Sequence, residues 1–311
     1  MPPPAATVAV TGAGGYVGGR LVTSWSGPGT VRALVRRRSD HLAADDQHEL
    51  DLTAGGPALA RALDGVGAVV HLAGHNEVVA AEDPDRALAE TLAATRQLID
   101  AARAAGVTRV VYVSTVHVYG EHLVAGARVT EDVDPAPTSV YAQARLGCEQ
   151  LLLDAGLDPV VLRLTNAVGA PADAAVDRWS LVAADLCRQA ATTGRLRLRT
   201  SGHQHRDFVH LGDVCRIVAA AADPATVVGG VYNLGSGQPL TIRDLAELVR
   251  DVVAELTGTR PPLDAPPGEP SDAPYTVDVD RLADQGQRAA TPIRDAVTEL
   301  ARFCLDHRDR W

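Results

Sequence analysis

The chain contains no lysine; all 29 of its Lys-plus-Arg positions are arginine. That absence excludes chemistry that runs through a lysine Schiff base, including a pyridoxal-phosphate site. Cysteine is scarce, with Cys148, Cys187, Cys215 and Cys304 far apart and no CxxC pair. This pattern argues against a disulfide framework or a zinc site and for reduced thiols in a cytoplasmic protein. No apolar run approaches the ~18 residues of a membrane span. The opening MPPPAATVAVTGAGG lacks the basic segment of a secretory signal. The formal net charge is −10 and the arginines form no stripe, so no nucleic-acid partner is expected. What is left, 311 residues that are 46% hydrophobic and 22% charged, is an ordinary globular composition with ample mass for a core.

The first informative segment is VAVTGAGGYVGGRLV. A short β-branched run (Val8 to Thr11) leads into glycines, and then into apolar residues at helical spacing (Val17, Leu21, Val22). Strand, glycine turn and helix are the context in which Gly12-x-x-Gly15-x-x-Gly18 acquires meaning as a dinucleotide-binding turn. Gly12 and Gly15 leave room for the tight turn and for a pyrophosphate, and Gly18 lets the helix sit close to the strand. Tyr16 and Val17, in the first helical turn, belong to the same expected cofactor set.

Downstream, buried strands alternate with amphipathic helices. The segments 30–35, 48–52, 67–74, 109–115 and 158–166 read as parallel strands. The segment 86–106 reads as a helix ending on Gly106. Such alternation predicts an α/β doubly wound parallel sheet. After the second strand come Arg36, Arg37 and Arg38, where an NAD-selecting enzyme usually carries an acid. A guanidinium pairs with a 2′-phosphate, so NADP(H) is expected, with NAD(H) as the alternative and a solvated basic turn as the bland reading. Asp51, with Leu52, is expected near the adenine.

In this order the motifs resemble those of the extended short-chain dehydrogenases/reductases of the nucleotide-sugar epimerase/dehydratase type, over almost the full length. TGAGGYVG matches the family's TGxxGxxG. HLAG (71–74) is similar to the strand end that lines the cofactor's ribose and nicotinamide, which implies roles for Leu72, Ala73 and Gly74. VVYVSTVHVYG (110–120) resembles the strand bearing the catalytic Ser/Thr, and YAQAR (141–145) resembles Tyr-x-x-x-Lys. RLTNAVGAP, RDFVHLGDV and GVYNLGSGQPLTIRDLAEL resemble the substrate-side signatures. The resemblance implies a Rossmann domain over 1–165. It also implies a smaller C-terminal substrate-binding lobe over 166–311, with some segments returning to the Rossmann sheet.

It further implies Tyr141 as acid/base, Thr115 as its hydroxyl partner, with Ser114 the adjacent alternative, and Arg145 as the cation. A phenol near pKa 10 works at neutral pH only when a cation stabilises its phenolate. Tyr141 and Arg145 lie one helical turn apart and so share a face. Arginine keeps the charge of the usual lysine but is planar, bulkier and unable to relay its proton. Either the site is reshaped around a guanidinium or it is relieved of redox duty. Val116 and His117 stand where the family's dehydratases place Asp-Glu, which argues against dehydration. His117 is either a second acid/base or turned away from the pocket.

Asn166 and Arg206 are the implied contacts to a substrate diphosphate, with turn closure and pairing to Asp207 or Asp213 as the bland alternatives. The arginine expected just before Gly268 is missing. No metal is expected. The resulting expectation is an NADPH-dependent ketoreductase of a nucleotide-activated keto-deoxysugar, with a redox-neutral 4-epimerase or a non-catalytic homologue as alternatives. A homodimer through helices 86–105 and 140–156 is expected as well.

Overall fold

The computed structural model describes residues 7–42, 47–269 and 273–311. Its first five strands are β1 (Thr7–Thr11), β2 (Val31–Val35), β3 (Gln47–Glu49), β4 (Val66–His71) and β5 (Arg109–Thr115). A two-residue β6 (Arg128–Val129) precedes β7 (Asp158–Leu164) and β8 (Asn166–Val168). The later strands used below are β9 (Leu196–Arg197), β10 (His205–His210), β11 (Gly230–Leu234) and β12 (Pro239–Thr241). The helices are α1 (Tyr16–Thr23), α2 (Gly56–Ala62), α3 (Glu77–Glu82), α4 (Pro84–Ala104), α5 (Val140–Leu153), α6 (Val182–Thr193), α7 (Leu211–Ala221), α8 (Ile242–Thr257), α9 (Asp280–Ala283) and α10 (Ile293–Asp306).

Seven strands form one sheet in the order β11-β7-β5-β4-β1-β2-β3, all parallel. Alternate residues feed two cores, as a sheet covered on both faces requires. Val8, Val10, Val111 and Val113 pack towards α1 and α7 through Leu21, Val214 and Ile217. Ala9, Val110 and Tyr112 pack towards α2, α4 and α5 through Leu59, Leu98 and Leu152. A third core binds α6, α8 and α10 around Leu186, Leu245 and Leu300. It sits beside the three-stranded sheet β12-β10-β8. The sheet reverses direction between β1 and β4, so a crevice opens at their carboxyl ends.

Several boundaries differ from the sequence reading for identifiable reasons. The third strand stops at Glu49, because Asp51 caps a short 3₁₀ turn, accepting from Thr53 N at 2.9 Å. The run 158–166 divides at Thr165; Asn166 leaves the main sheet and pairs instead with Phe208 of β10. The long helix starts two residues early, at Pro84, capped by the Asp83 side chain. Ser139 caps α5, accepting from Ala142 N at 3.3 Å. β11 supplies the return of the later chain to the main sheet, at its edge against β7. Among the described residues, no helix is long and apolar enough to cross a membrane.

Candidate functional site

A cavity of about 970 Å³ lies along the carboxyl ends of β1, β4, β5 and β7 and under the later segments. That is the size of a substantial ligand site. Its floor begins at the glycine turn. Gly12 has φ +67°, and a Cβ there would stand 2.9 Å from the Ala73 amide nitrogen. A Cβ on Gly18 would fall 2.2 Å from the Gly12 carbonyl oxygen, which is backbone and cannot yield. Gly15 is the N-cap of α1 and supplies no side chain to its first amides. Those N–H groups, with the helix dipole behind them, remain free for an anion. The turn and helix therefore fit a dinucleotide's pyrophosphate. Tyr16, whose hydroxyl donates to Gly169 O at 2.8 Å, ties the turn to the segment after β8.

Thr11 and His71, register partners on β1 and β4, set the next wall. The amides of Leu72 and Ala73 both donate to Thr11 Oγ1 at 3.2 Å. That hydroxyl's own proton therefore goes to His71 Nδ1, 2.8 Å away. His71 Nε2 then donates to Thr95 Oγ1 at 3.0 Å. Burial, and secondarily Arg145, push the His71 pKa down to about 3, so the ring is neutral. This chain of bonds holds the Leu72–Gly74 turn in place.

At the end of β5 the two candidate hydroxyls separate. Ser114 Oγ donates to Glu149, a carboxylate that is only 1% exposed and is also gripped by Arg163 at 2.7 and 3.1 Å. Thr115 Oγ1 accepts from His117 N at 3.2 Å, and its own proton is uncommitted. Both residues line the cavity, as do Tyr141 and Arg145 from the first turns of α5. The Arg145 guanidinium carbon stands 5.3 Å from the Tyr141 ring centroid. It reaches Tyr112 Oη and His75 O at 3.5 Å each. His117 faces the cavity. The enclosing protein and then Arg206 lower its pKa, with Glu77 acting the other way, so the ring is neutral near pH 7.

Towards the later segments, Asn166 and Arg206 line the same cavity. Asn166 Nδ2 donates to Asp207 O at 2.8 Å, so its amide oxygen remains available. Arg206 pairs with neither carboxylate named above. Asp207 is taken by Thr165 and Ser236, and Asp213 by Arg216 and the amides of 290 and 291. Arg260, the arginine nearest before Gly268 in the sequence, is engaged by Asp251 at 2.7 Å and Glu247 at 3.1 Å and does not line the cavity. Arg36 lines the cavity, whereas Arg37, Asp51, Leu52 and Ala73 do not. Asp51 is exposed and spends one carboxylate oxygen on Thr53.

Sequence reasoning missed His75, Glu77 and Arg178, which also line the cavity; Arg197 and Arg199 line it too, within the segment 196–202 that the family resemblance sets along the substrate's nucleotide base. Arg178 reaches across to Glu77 with both terminal nitrogens at 3.1 Å. It sits on a connecting segment with no motif, so only the folded chain brings it there. Arg197 and Arg199 lie on and just after β9, in a stretch whose arginines alternate in sequence and could have been read as one facing row.

Residues 8–235 match the family described as "NAD dependent epimerase/dehydratase family". The chain is similar to the GDP-6-deoxy-D-mannose reductase of Pseudomonas aeruginosa, 31% identical over 259 residues, covering 78% of this chain and 79% of that one. It is similar to a dTDP-glucose 4,6-dehydratase of Streptomyces griseus, 28% identical over 97% of this chain and 95% of that one. Among solved structures it resembles RMD from Pseudomonas aeruginosa complexed with NADPH, with a TM-score of 0.76 and 26% identity, covering 97% of this chain and 99% of that one.

Proposed function

The chain belongs to the NAD dependent epimerase/dehydratase family and is an NAD(P)-dependent enzyme; on that premise we propose that it reduces a keto group of a nucleotide-activated deoxysugar with NADPH, at C4 of the hexose. The observation that carries this reading is the convergence in one cavity of the glycine turn, the Thr115–Tyr141–Arg145 set and Arg206, which donates to the His205 carbonyl at 2.8 Å and, among the described residues, meets no carboxylate. The cofactor, when bound, supplies the hydride to the carbonyl carbon. Gly12, Gly15 and the α1 N-terminus would hold its pyrophosphate, and Arg36 its 2′-phosphate.

Thr115, with its hydroxyl proton free, orients the substrate oxygen, and Tyr141 delivers a proton to that oxygen. Arg145 stabilises the phenolate left behind. Arg206 and the Asn166 amide face the substrate's diphosphate. Arg199 or Arg178 takes the place of the arginine missing before Gly268 as the second cation. Val116 is buried at 2% exposure and His117 is neutral, so neither supplies the carboxylates a dehydration would use. The resemblance to an NADPH complex supports the choice of cofactor. A homodimer through the outer faces of α4 and α5 completes the proposal.

Fluorescence titration with NADPH and NADH, followed by a panel of nucleotide 4-keto-deoxysugars, tests it. Tight NADPH binding and stoichiometric oxidation by one keto-sugar is the expected result. Interconversion of C4 epimers without net oxidation would replace it with an epimerase. Failure to bind either cofactor would end both readings.

A further inference from the structure

Arg145 is 8% exposed, and its Nε is buried without a hydrogen-bond partner. Among the described residues it pairs with no carboxylate. It is held by shape. On one side lies the Tyr141 ring, 5.3 Å from Cζ. On the other lies Gly74, where a Cβ would stand 3.1 Å from Nη1 and 3.3 Å from both Cζ and Nη2. Beyond the tip, Tyr112 Oη meets Nη1 and the His75 carbonyl meets Nη2, both at 3.5 Å. Tyr112 is fully buried, with its ring 5.4 Å from that of His71, so its hydroxyl cannot wander. A lysine ammonium, ending where Cζ stands, would fall one bond short of these two oxygens and would lack the two terminal nitrogens that lie against Gly74. The guanidinium thus occupies a slot lined by the Tyr141 ring and the bare Gly74, with two oxygens at its far end.

We propose that Gly74 and Tyr112 are positioning residues that adapt this site to arginine: Gly74 by leaving out the side chain that would displace the guanidinium, Tyr112 by anchoring its tip so that the cation stays over Tyr141. The inference rests on Tyr141 as the proton donor, but the fit of the slot is measurable without turnover. Gly74 also has φ +153°, so Gly74→Ala carries a backbone cost of its own. A double-mutant cycle separates that cost from the guanidinium contact.

Thermal unfolding of the wild type, Gly74→Ala, Arg145→Lys and the double variant is the first measurement. Gly74→Ala is expected to lower Tm clearly in the arginine background and much less in the lysine background. Equal losses in both would mean that backbone strain explains everything, and would overturn the role given to Gly74. The second measurement is the pH–rate profile of keto-sugar reduction by Tyr112→Phe. A loosened cation moves the phenol-controlled limb to higher pH and slows reduction by about 3- to 100-fold, the range for coupled contacts. The same change on Arg145→Lys should leave profile and rate unmoved. A wild-type profile for Tyr112→Phe, or an equal shift in both backgrounds, overturns the role given to Tyr112. If the wild type reduces nothing, the catalytic reading falls, while the unfolding cycle still decides whether the slot is built for arginine.

Discussion

Ser114 and Thr115 are neighbours on β5, both buried and both on the cavity wall, yet their hydroxyls face different demands. Ser114 donates to Glu149, whose carboxylate is also held by Arg163 at 2.7 and 3.1 Å. Ser114→Ala removes a hydrogen bond to a buried charge, an effect of about 1.5–3 kcal/mol. It leaves the Thr115 hydroxyl on the same cavity wall untouched. Urea unfolding should therefore show a stability loss of that order, with kcat changed less than about threefold. Thr115→Val keeps the shape but removes the oxygen that accepts from His117 N at 3.2 Å, a capping loss of about 1 kcal/mol. Its larger effect is on rate. Loss of a group that orients the substrate oxygen and shares the proton's path costs roughly 100-fold or more in kcat. Steady-state NADPH oxidation with the identified keto-sugar measures this, and Thr115→Ser should recover most of the rate. A hundredfold fall in Ser114→Ala at wild-type stability, with Thr115→Val still active, would reverse the assignment and refute the argument from hydrogen-bond commitment.

Three further outcomes follow from the same geometry. Gly18→Ala places a Cβ 2.2 Å from the Gly12 carbonyl, so it should destabilise by about 1–3 kcal/mol or more and abolish dinucleotide binding, measured by denaturant unfolding and cofactor titration. Arg36→Ala should weaken NADPH about tenfold with NADH unchanged, whereas Arg37→Ala, off the cavity wall, should alter both by less than about twofold. His71 has its pKa lowered to about 3 by burial, so the unfolded chain binds its proton first as pH falls. The stability held by the neutral ring is complete above about pH 6.5 and declines from there towards pH 3, at about 1.4 kcal/mol per pH unit. Urea midpoints of the wild type and His71→Gln between pH 7.5 and 5 should show the difference in slope, and parallel curves would contradict it.

Much of the fold was legible because both faces of the sheet are buried. The apolar stretches 110–113 and 159–162 lie inside observed strands, and the glycine turn announces the first crossover. That Tyr141, Arg145, Thr115, Asn166 and Arg206 would come to one cavity was legible because each sits in or beside a motif with fixed spacing from an element end. Less legible was whatever depends on which side chain a hydroxyl or carboxylate has already engaged. Ser114 and Thr115 are neighbours on one strand, and only the fold shows that Glu149, 35 residues on, claims the first. Asp51 looked suited to an adenine, but its turn carries it off the cavity wall. Arg178 belongs to no motif and reaches the site only through its bridge to Glu77.

A chain without lysine must build every strong cation from arginine, which makes it hard to tell a working guanidinium from a structural one by residue type. Pairing separates them. Three arginines are buried among the described residues: Arg109, Arg145 and Arg163. Arg109 meets Asp158 at 2.8 Å and Arg163 meets Glu149 at 2.7 Å, as a buried charge in a structural role must meet an opposite one. Arg145 has only a ring face, a phenol, a carbonyl and a bare glycine. Leaving a charge that poorly compensated is costly in a folded protein. Selection for stability alone would have replaced it with an apolar side chain or given it an acid. In the proposed mechanism its partner is a charge that arises only during turnover, the phenolate of Tyr141, together with the hydroxyls of a bound cofactor. On this reasoning Arg145→Met should raise the thermal stability of the ligand-free protein while abolishing reduction, and a variant that loses both would show Arg145 to be structural.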